Sequence, residues 1–358
     1  MSARTLNLYI ARKLTATLAL IFIVFGLIVG VADYLDVLRR FADEEVFTAA
    51  AGLKLSVMRI PILLDAMLPF IFLFGATIAL FDVSRSSELV VARASGISAW
   101  GFMRGPATVA LVFGAIGTAA LNPLAVSLSH RAASLEAKLK GGAPWNEGSW
   151  FRQEGPGTQS VVHVGSASSD RRTLFGVTAY IFDMEGNLRE KVSASRAEFV
   201  SDRWVMQDAK VLSATAPNMS VGVYELHTRL TPAVLQKPFL DPWTIDVWSL
   251  PHAIEMARQM GIEANPFRVV FHSLLNRPLM LLAMVMIAAT VSLRLTRDGN
   301  RGGLILSGTA IGFLLYAANE VVIDLGSNGI LHPIFAAWLP PTTALTFAAT
   351  VLLFQEDG

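Results

Sequence analysis

The sequence predicts an α-helical membrane protein: six transmembrane helices with an all-β domain, an antiparallel sandwich or open barrel, inserted between the third and the fourth. Three observations carry the prediction. Hydrophobic residues make up 53% of the 358 and charged residues only 16%, against ~25% in an ordinary soluble domain. The charges are missing from whole stretches rather than thinned evenly. Polar, β-branched and turn-forming residues return together in one central block.

The spans follow in order. Residues 14–32 carry no charge, 60–81 carry only Asp65, and 98–121 carry only Arg104. After the central block, 278–293, 302–318 and 334–354 are again uncharged. Each run approaches the ~20 apolar residues that a helix needs to cross a bilayer. Helices are the expected form because lipid offers no partner for an open backbone. The first run is too long, and lacks a small-residue cleavage site before its polar flank, to read as a removed signal peptide. This divides the chain into a membrane half at 1–121, a β domain at 122–265 and a second membrane half at 266–358.

Basic residues set the orientation. One face receives Arg4, Arg12, Lys13, Arg85, Arg93, Arg104, Arg294, Arg297 and Arg301. The other receives Arg39, Arg40 and Lys54, diluted by five acids between Asp33 and Glu45. Both termini and the segment between spans two and three are therefore expected in the cytoplasm, with the β domain outside. The net charge of +1 says little by itself, and no cysteine is present. The missing thiols exclude disulfide, thiolate-metal and cysteine-nucleophile chemistry.

The central block alternates apolar and polar residues in short runs, as in "TLFGVTAYIF" and "RWVMQDAKVL". Turn signals at Glu185-Gly186-Asn187 and Ser201-Asp202 separate them, and seven to nine strands are expected. Phe175, Tyr180, Phe182, Phe199, Trp204 and Tyr224 are the expected inward aromatics. A helix closes the block, with Ser249 as N-cap, Pro251 in the first turn and Gly261 as the stop.

Residues 84–98, "SRSSELVVARASGIS", form the most informative short segment. Ser87 is a suitable N-cap, Glu88 favours the positive end of the helix dipole, and Gly96 suits the C′ position. A short capped helix between two spans reads either as an incidental loop turn or as a docking element.

This segment resembles the coupling helix of the lipopolysaccharide export permeases, the LptF/LptG family, and is closest to its LptG branch. The matching residues are Arg85, Ser86, Ser87, Glu88, Leu89, Val90 and Val91, then Ala94, Ser95 and Gly96, with one serine inserted. "LYIARKL" before span one, Pro61 and Pro69 in span two, Arg277-Pro278 in span four and the inserted β domain also fit. The resemblance implies a non-catalytic permease subunit of an ABC transporter in the bacterial inner membrane, with the β domain periplasmic and jellyroll-like. It implies a cavity formed with an LptF-like subunit, gates between span one of one subunit and span five of the other, and an LptB-like ATPase dimer. LptC-like and LptA-like jellyroll proteins are implied as the onward bridge for lipopolysaccharide. Membrane lipids surround it, and no nucleic acid is implied as a partner.

On this reading Arg85, Ser87, Glu88, Leu89, Arg93 and Gly96 couple the chain to the ATPase. Arg39, Arg40, His130, Arg131, Arg268 and Arg277 are the candidate contacts to lipid phosphates, with interfacial snorkelling as the plain alternative. The family often carries a lysine where Asp33 stands, which shifts that role toward Arg40. Gly26 and Gly30, and Gly308 and Gly312, form G-x-x-x-G pairs in the two gate helices and permit close packing. The sequence contains no Gly-Lys pair and hence no Walker A loop. ATP and Mg²⁺ are therefore expected on the partner ATPase, with no cofactor in this chain. Two alternatives differ in class: an intramembrane enzyme acting on lipid A or another envelope lipid, with His272 and Asp65 as acid and base, and a structural anchor for the β domain.

Overall fold

The computed structural model describes residues 3–42, 47–85, 98–139, 149–155, 158–167, 173–183, 185, 187–200, 203–213, 219–228, 241–259, 263–292 and 301–357. In chain order these form α1 (Ala3–Arg40), α2 (Ala49–Arg85), α3 (Ala99–Ile116), a π-helical segment (Gly117–Leu121) and α4 (Asn122–Leu139). Six strands follow: β1 (Ser149–Gly155), β2 (Thr158–Ala167), β3 (Thr173–Phe182), β4 (Leu188–Val200), β5 (Arg203–Ser213) and β6 (Met219–His227). The chain ends with a 3₁₀ turn (Pro242–Thr244), α5 (Leu250–Gln259), α6 (Asn265–Ser292), α7 (Arg301–Ser327) and α8 (Pro333–Asp357). Among the described residues, six helices are long and apolar enough to span a membrane. The chain divides into two compact units: residues 1–40, 52–129 and 242–358, and residues 41–51 with 130–241.

In the helical unit α6 is the hub. Of its most apolar window 67% is buried inside the protein, against 11% for α1. Leu281, Met284, Val285, Ala288 and Ala289 of α6 meet Phe72 and Leu73 of α2 and Phe102 and Ala110 of α3 in one core. Helix α1 adds Leu6, Ile10, Leu14 and Leu18 to it and turns Leu20, Leu27, Ile28 and Val31 outward.

The third span runs on past the expected boundary. The helix continues from the π segment through Asn122-Pro123 to Leu139. Pro123 has no N–H to offer the Ala119 carbonyl, and a helix is expected to break there. The Trp248 indole N–H donates to that carbonyl instead at 3.0 Å, while Asn122 Oδ1 accepts from Val247 N–H at 3.0 Å. Two other prolines are treated alike. Pro278 deprives Leu274 of its partner, and the Thr118 hydroxyl donates to the Leu274 carbonyl at 2.8 Å. Pro341 deprives Ala337, and the Asn276 side-chain amide donates to that carbonyl. At α5 the side-chain cap is not on Ser249. Asp246 Oδ1 accepts from Trp248 N–H at 3.0 Å and from Ser249 N–H at 3.2 Å.

The β unit is a single antiparallel sheet in the order β1-β2-β3-β4-β5-β6 among the described residues. It curls until its two edges approach at one end, where a Cβ on Gly155 would lie 3.2 Å from the His227 carbonyl oxygen. The curl has a local cause. The registers set Gly165 opposite Gly176, Gly176 opposite Ser195, Ser195 opposite Asp208 and Asp208 opposite Gly222. Gly176 has φ +62° and Asp208 φ +53°, and the Ser195 hydroxyl donates to Asp208 Oδ2 at 3.1 Å. Across this row the buried set changes parity: Leu174 to Val177 in β3, Ala194 to Ala197 in β4, Met206 to Ala209 in β5. The row is a crease, where left-handed and small residues absorb one step of the pleat and let each strand bend.

The inner face holds Val162, Val164, Val177, Ile181, Val192, Trp204, Met206 and Leu226, with Phe199 and Tyr224 packed against them. Of the six aromatics expected inside, Phe199, Trp204 and Tyr224 are there and three are not. Tyr180 and Phe182 alternate with buried Ala179 and Ile181, so they stand on the opposite face. Phe175 lies at the crease, where the parity changes, and is 42% exposed.

Candidate functional site

Asp65 and Arg277 meet inside the helical unit. Arg277 Nη1 donates to Asp65 Oδ1 at 2.7 Å and Nη2 to Oδ2 at 2.8 Å. The side chains are 13% and 11% exposed. Arg277 is mid-helix, about 18 Å along α6 at 1.5 Å per residue, and not at its end. The fork-on-carboxylate geometry satisfies both oxygens, and each ion would be costly at this depth without the other. Gly117, in the π segment, gives the guanidinium stem room, its Cβ position lying 3.9 Å from Arg277 Cδ. One turn earlier, a Cβ on Gly114 would collide with Pro278. The last turn of α3 and the π segment together supply a socket: Gly114 admits the proline ring, Gly117 admits the arginine stem, and Thr118 takes the carbonyl that the proline leaves open.

Three consecutive residues of α6 therefore grip three elements. Asn276 holds α8, Arg277 holds α2, and the backbone before Pro278 is held by the π segment. Sequence reading singled out Asp65, Arg277 and Pro278 but missed Thr118, Asn276, Trp248 and Gly114. The legible signal was each helical proline, which guarantees an unserved carbonyl one turn before it. The donor cannot be named without the fold.

A second polar pair joins α1 to α2. Arg59 Nη1 lies 3.4 Å from Asp33 Oδ1, and the Asp33 side chain is 7% exposed. Asp33 is thus committed to a neighbouring helix of the same chain.

The other predicted residues fall as follows. Ser87, Glu88, Leu89, Arg93 and Gly96 lie outside the described residues, and Arg85 is the last residue of α2. Arg39 and Arg40 are exposed on the last turn of α1, with Arg40 on Asp36 one turn earlier. His130 and Arg131 are exposed on α4, and Arg268 is half-buried on the first turn of α6. Asp65 is held by Arg277, whereas His272 has His332 as its electrostatic neighbour. The pairing of Asp65 with an always-charged guanidinium leaves the acid–base reading without its carboxylate. Gly26 and Gly30 pack on Leu64 and Ile60 of α2, with Cβ positions 3.6 and 3.0 Å from them. Gly308 packs on Val291 of α6 and Gly312 on Leu73 of α2. All four glycines thus serve close helix approach within this chain.

In the β unit the Tyr224 hydroxyl donates to Glu190 Oε1 at 2.6 Å. Burial first, then this bond and the carboxylate charge, push the Tyr224 pKa above its ordinary value. The buried Trp204 indole N–H has no hydrogen-bond partner among the described residues.

The chain matches the family described as "Lipopolysaccharide export system permease LptF/LptG" across residues 8–354. It is similar to the lipopolysaccharide export system permease protein LptG of Haemophilus influenzae, 24% identical, with 99% of each chain covered. It is also similar to LptG of Escherichia coli K12, 22% identical, over 97% of this chain and 98% of that one. Membrane-spanning helices, an inserted antiparallel sheet and a match over almost the whole length agree, and the chain belongs to the LptF/LptG family of lipopolysaccharide export permeases.

Proposed function

We propose that this chain is the LptG-type permease subunit of a transporter that extracts lipopolysaccharide from the inner membrane and passes it to a periplasmic bridge. A separate cytoplasmic ATPase dimer drives it, and an LptF-like sister subunit completes the cavity. The family match along the whole chain carries this reading. Two observations support the division of labour: the chain has no phosphate-binding Gly-Lys pair, and its mid-membrane Asp65 is bonded to Arg277. The basic residues around 85–104 favour a cytoplasmic face for the segment between α2 and α3, with the β unit in the periplasm.

In this reading Glu88 and its neighbours dock the ATPase, with Arg85 and Arg93 beside them. Arg39, Arg40, His130, Arg131 and Arg268 meet the lipid phosphates. Arg277 takes part only if Asp65 releases it. LptC-like and LptA-like jellyrolls receive the lipid.

The experiment is reconstitution of the complex in proteoliposomes. The ATPase should copurify with this chain, and lipopolysaccharide should leave only with ATP. Glu88→Lys should leave the fold intact, because one helix-end charge is worth ~0.3–1 kcal/mol. It should nonetheless weaken ATPase binding or uncouple hydrolysis from release. Undiminished release by that variant would remove Glu88 from the coupling interface.

A further inference from the structure

The end of α1 that precedes its membrane run is tied to the start of α3 by one side chain. Asn7 Nδ2 donates to the Gly101 carbonyl at 2.8 Å, and Asn7 Oδ1 accepts from Gly105 N–H at 3.2 Å. Gly101 and Gly105 are one turn apart, so their lack of side chains bares the backbone on a single face of α3. At Gly105 a Cβ would collide with the Asn7 carbonyl oxygen, which makes glycine necessary for the approach. The joint lies beside a packed core of Leu6, Ile10, Leu14 and Phe102.

Gly101 is also held from its other side. Ser98 caps α3, its Oγ accepting from Gly101 N–H at 3.2 Å while its carbonyl accepts from the same group at 2.9 Å. Ser98 is the residue at which the chain leaves the 84–98 segment. A hydrogen-bonded path therefore runs from Ser98 through Gly101 to Asn7, that is, from the exit of the segment to α1. Lys13 and Asp82 link α1 to the last turns of α2 as well, but at 3.9 Å with Asp82 55% exposed. A screened surface pair of that kind contributes little, so of these two polar ties the Asn7 joint, backed by the packed core, is the one fitted to carry displacement.

The structure assigns to Asn7 the role of a positioning residue that makes the start of α3 and the first turns of α1 move as one body. This rests on the reading that the 84–98 segment docks the ATPase. Displacement of that segment reaches α1 through Asn7. Among the described residues, helix α1 is the span least buried in its own chain, so few contacts within that chain oppose its displacement.

The test uses the complete reconstituted transporter with Asn7→Leu, of similar size but without donor or acceptor, and Gly105→Ala, which wedges the helices apart. Both variants are expected to assemble with the ATPase and to hydrolyse ATP near the wild-type rate. Lipopolysaccharide released per ATP is expected to fall by about fivefold or more, the lower range of coupling between sites. Unchanged release per ATP in both would overturn the assignment. A second measurement needs no disrupted variant. The chain has no cysteine, so spin labels at Leu8→Cys and Arg104→Cys, both exposed positions, report the α1–α3 distance. That distance is expected to stay constant between nucleotide-free and nucleotide-bound complexes. A change beyond about 2 Å, the scale of functional helix shifts, would show that the joint is not rigid and overturn the assignment. If the wild-type chain fails to bind any ATPase, the proposed function fails first and separately.

Discussion

At the scale of single residues, the Asp65–Arg277 pair illustrates how a charge survives in an apolar setting. Its two members are not equivalent. A guanidinium cannot shed its proton, whereas a carboxyl group left alone can take one up. Asp65→Asn is therefore expected to cost about 3–5 kcal/mol, the usual consequence of an uncompensated buried charge. Arg277→Met should cost less, and the double change Asp65→Leu with Arg277→Met should recover much of the loss. Thermal unfolding of the purified proteins in one detergent would rank the three, and equal losses in both single variants would contradict the asymmetry. Tyr224 gives a pH prediction. Its raised pKa means that the folded state holds the phenolic proton more tightly. The resulting stability is complete below the unfolded value of ~10 and declines as pH rises past it. Unfolding followed from pH 8 to 11 should show this decline in the parent and a shallower one in Tyr224→Phe.

At the scale of elements, Pro123, Pro278 and Pro341 are each one half of a two-part device, and this marks where sequence reading stopped. Six spans and a β block were legible because apolar length, missing charge and alternation are local properties. The continuation of the third span to Leu139 was not, because Asn122-Pro123 looks like an end until Trp248, far along the chain, serves the Ala119 carbonyl. The crease was hidden for a related reason. Gly165, Gly176 and Gly222 are visible in sequence, but only the strand register sets them in one row with Ser195 and Asp208. That row also explains why alternation misplaced Phe175. The pairing of Thr118 with Pro278 is testable by a double-mutant cycle. Thr118→Val should cost about 1–3 kcal/mol by leaving the Leu274 carbonyl buried and unserved. In a Pro278→Ala background the restored N–H serves it, and the same substitution should cost little. Equal costs in both backgrounds would mean that the threonine acts through packing alone.

At the scale of the whole molecule, α6 organises the helical unit, and its three-residue grip joins both membrane halves. Arg277 reaches back to α2 and the backbone before Pro278 reaches back to the π segment, while Asn276 reaches forward to α8. These ties acquire a further meaning when the chain is considered during synthesis. As the ribosome delivers α6 to the membrane, Asp65 and Thr118 are already inserted, but Ala337 has not yet been made. An arginine at the centre of a nascent helix opposes insertion by roughly 2.5–3.5 kcal/mol, and here its counter-ion is waiting. The first half of the chain thus acts as an internal chaperone for the second, and only the α8 tie must close after translation has moved on. Residues 266–358 expressed alone should insert α6 poorly, coexpressed residues 1–139 should rescue it, and Asp65→Leu in that fragment should abolish the rescue. Protease protection of the C-terminal fragment in membranes would read all three outcomes.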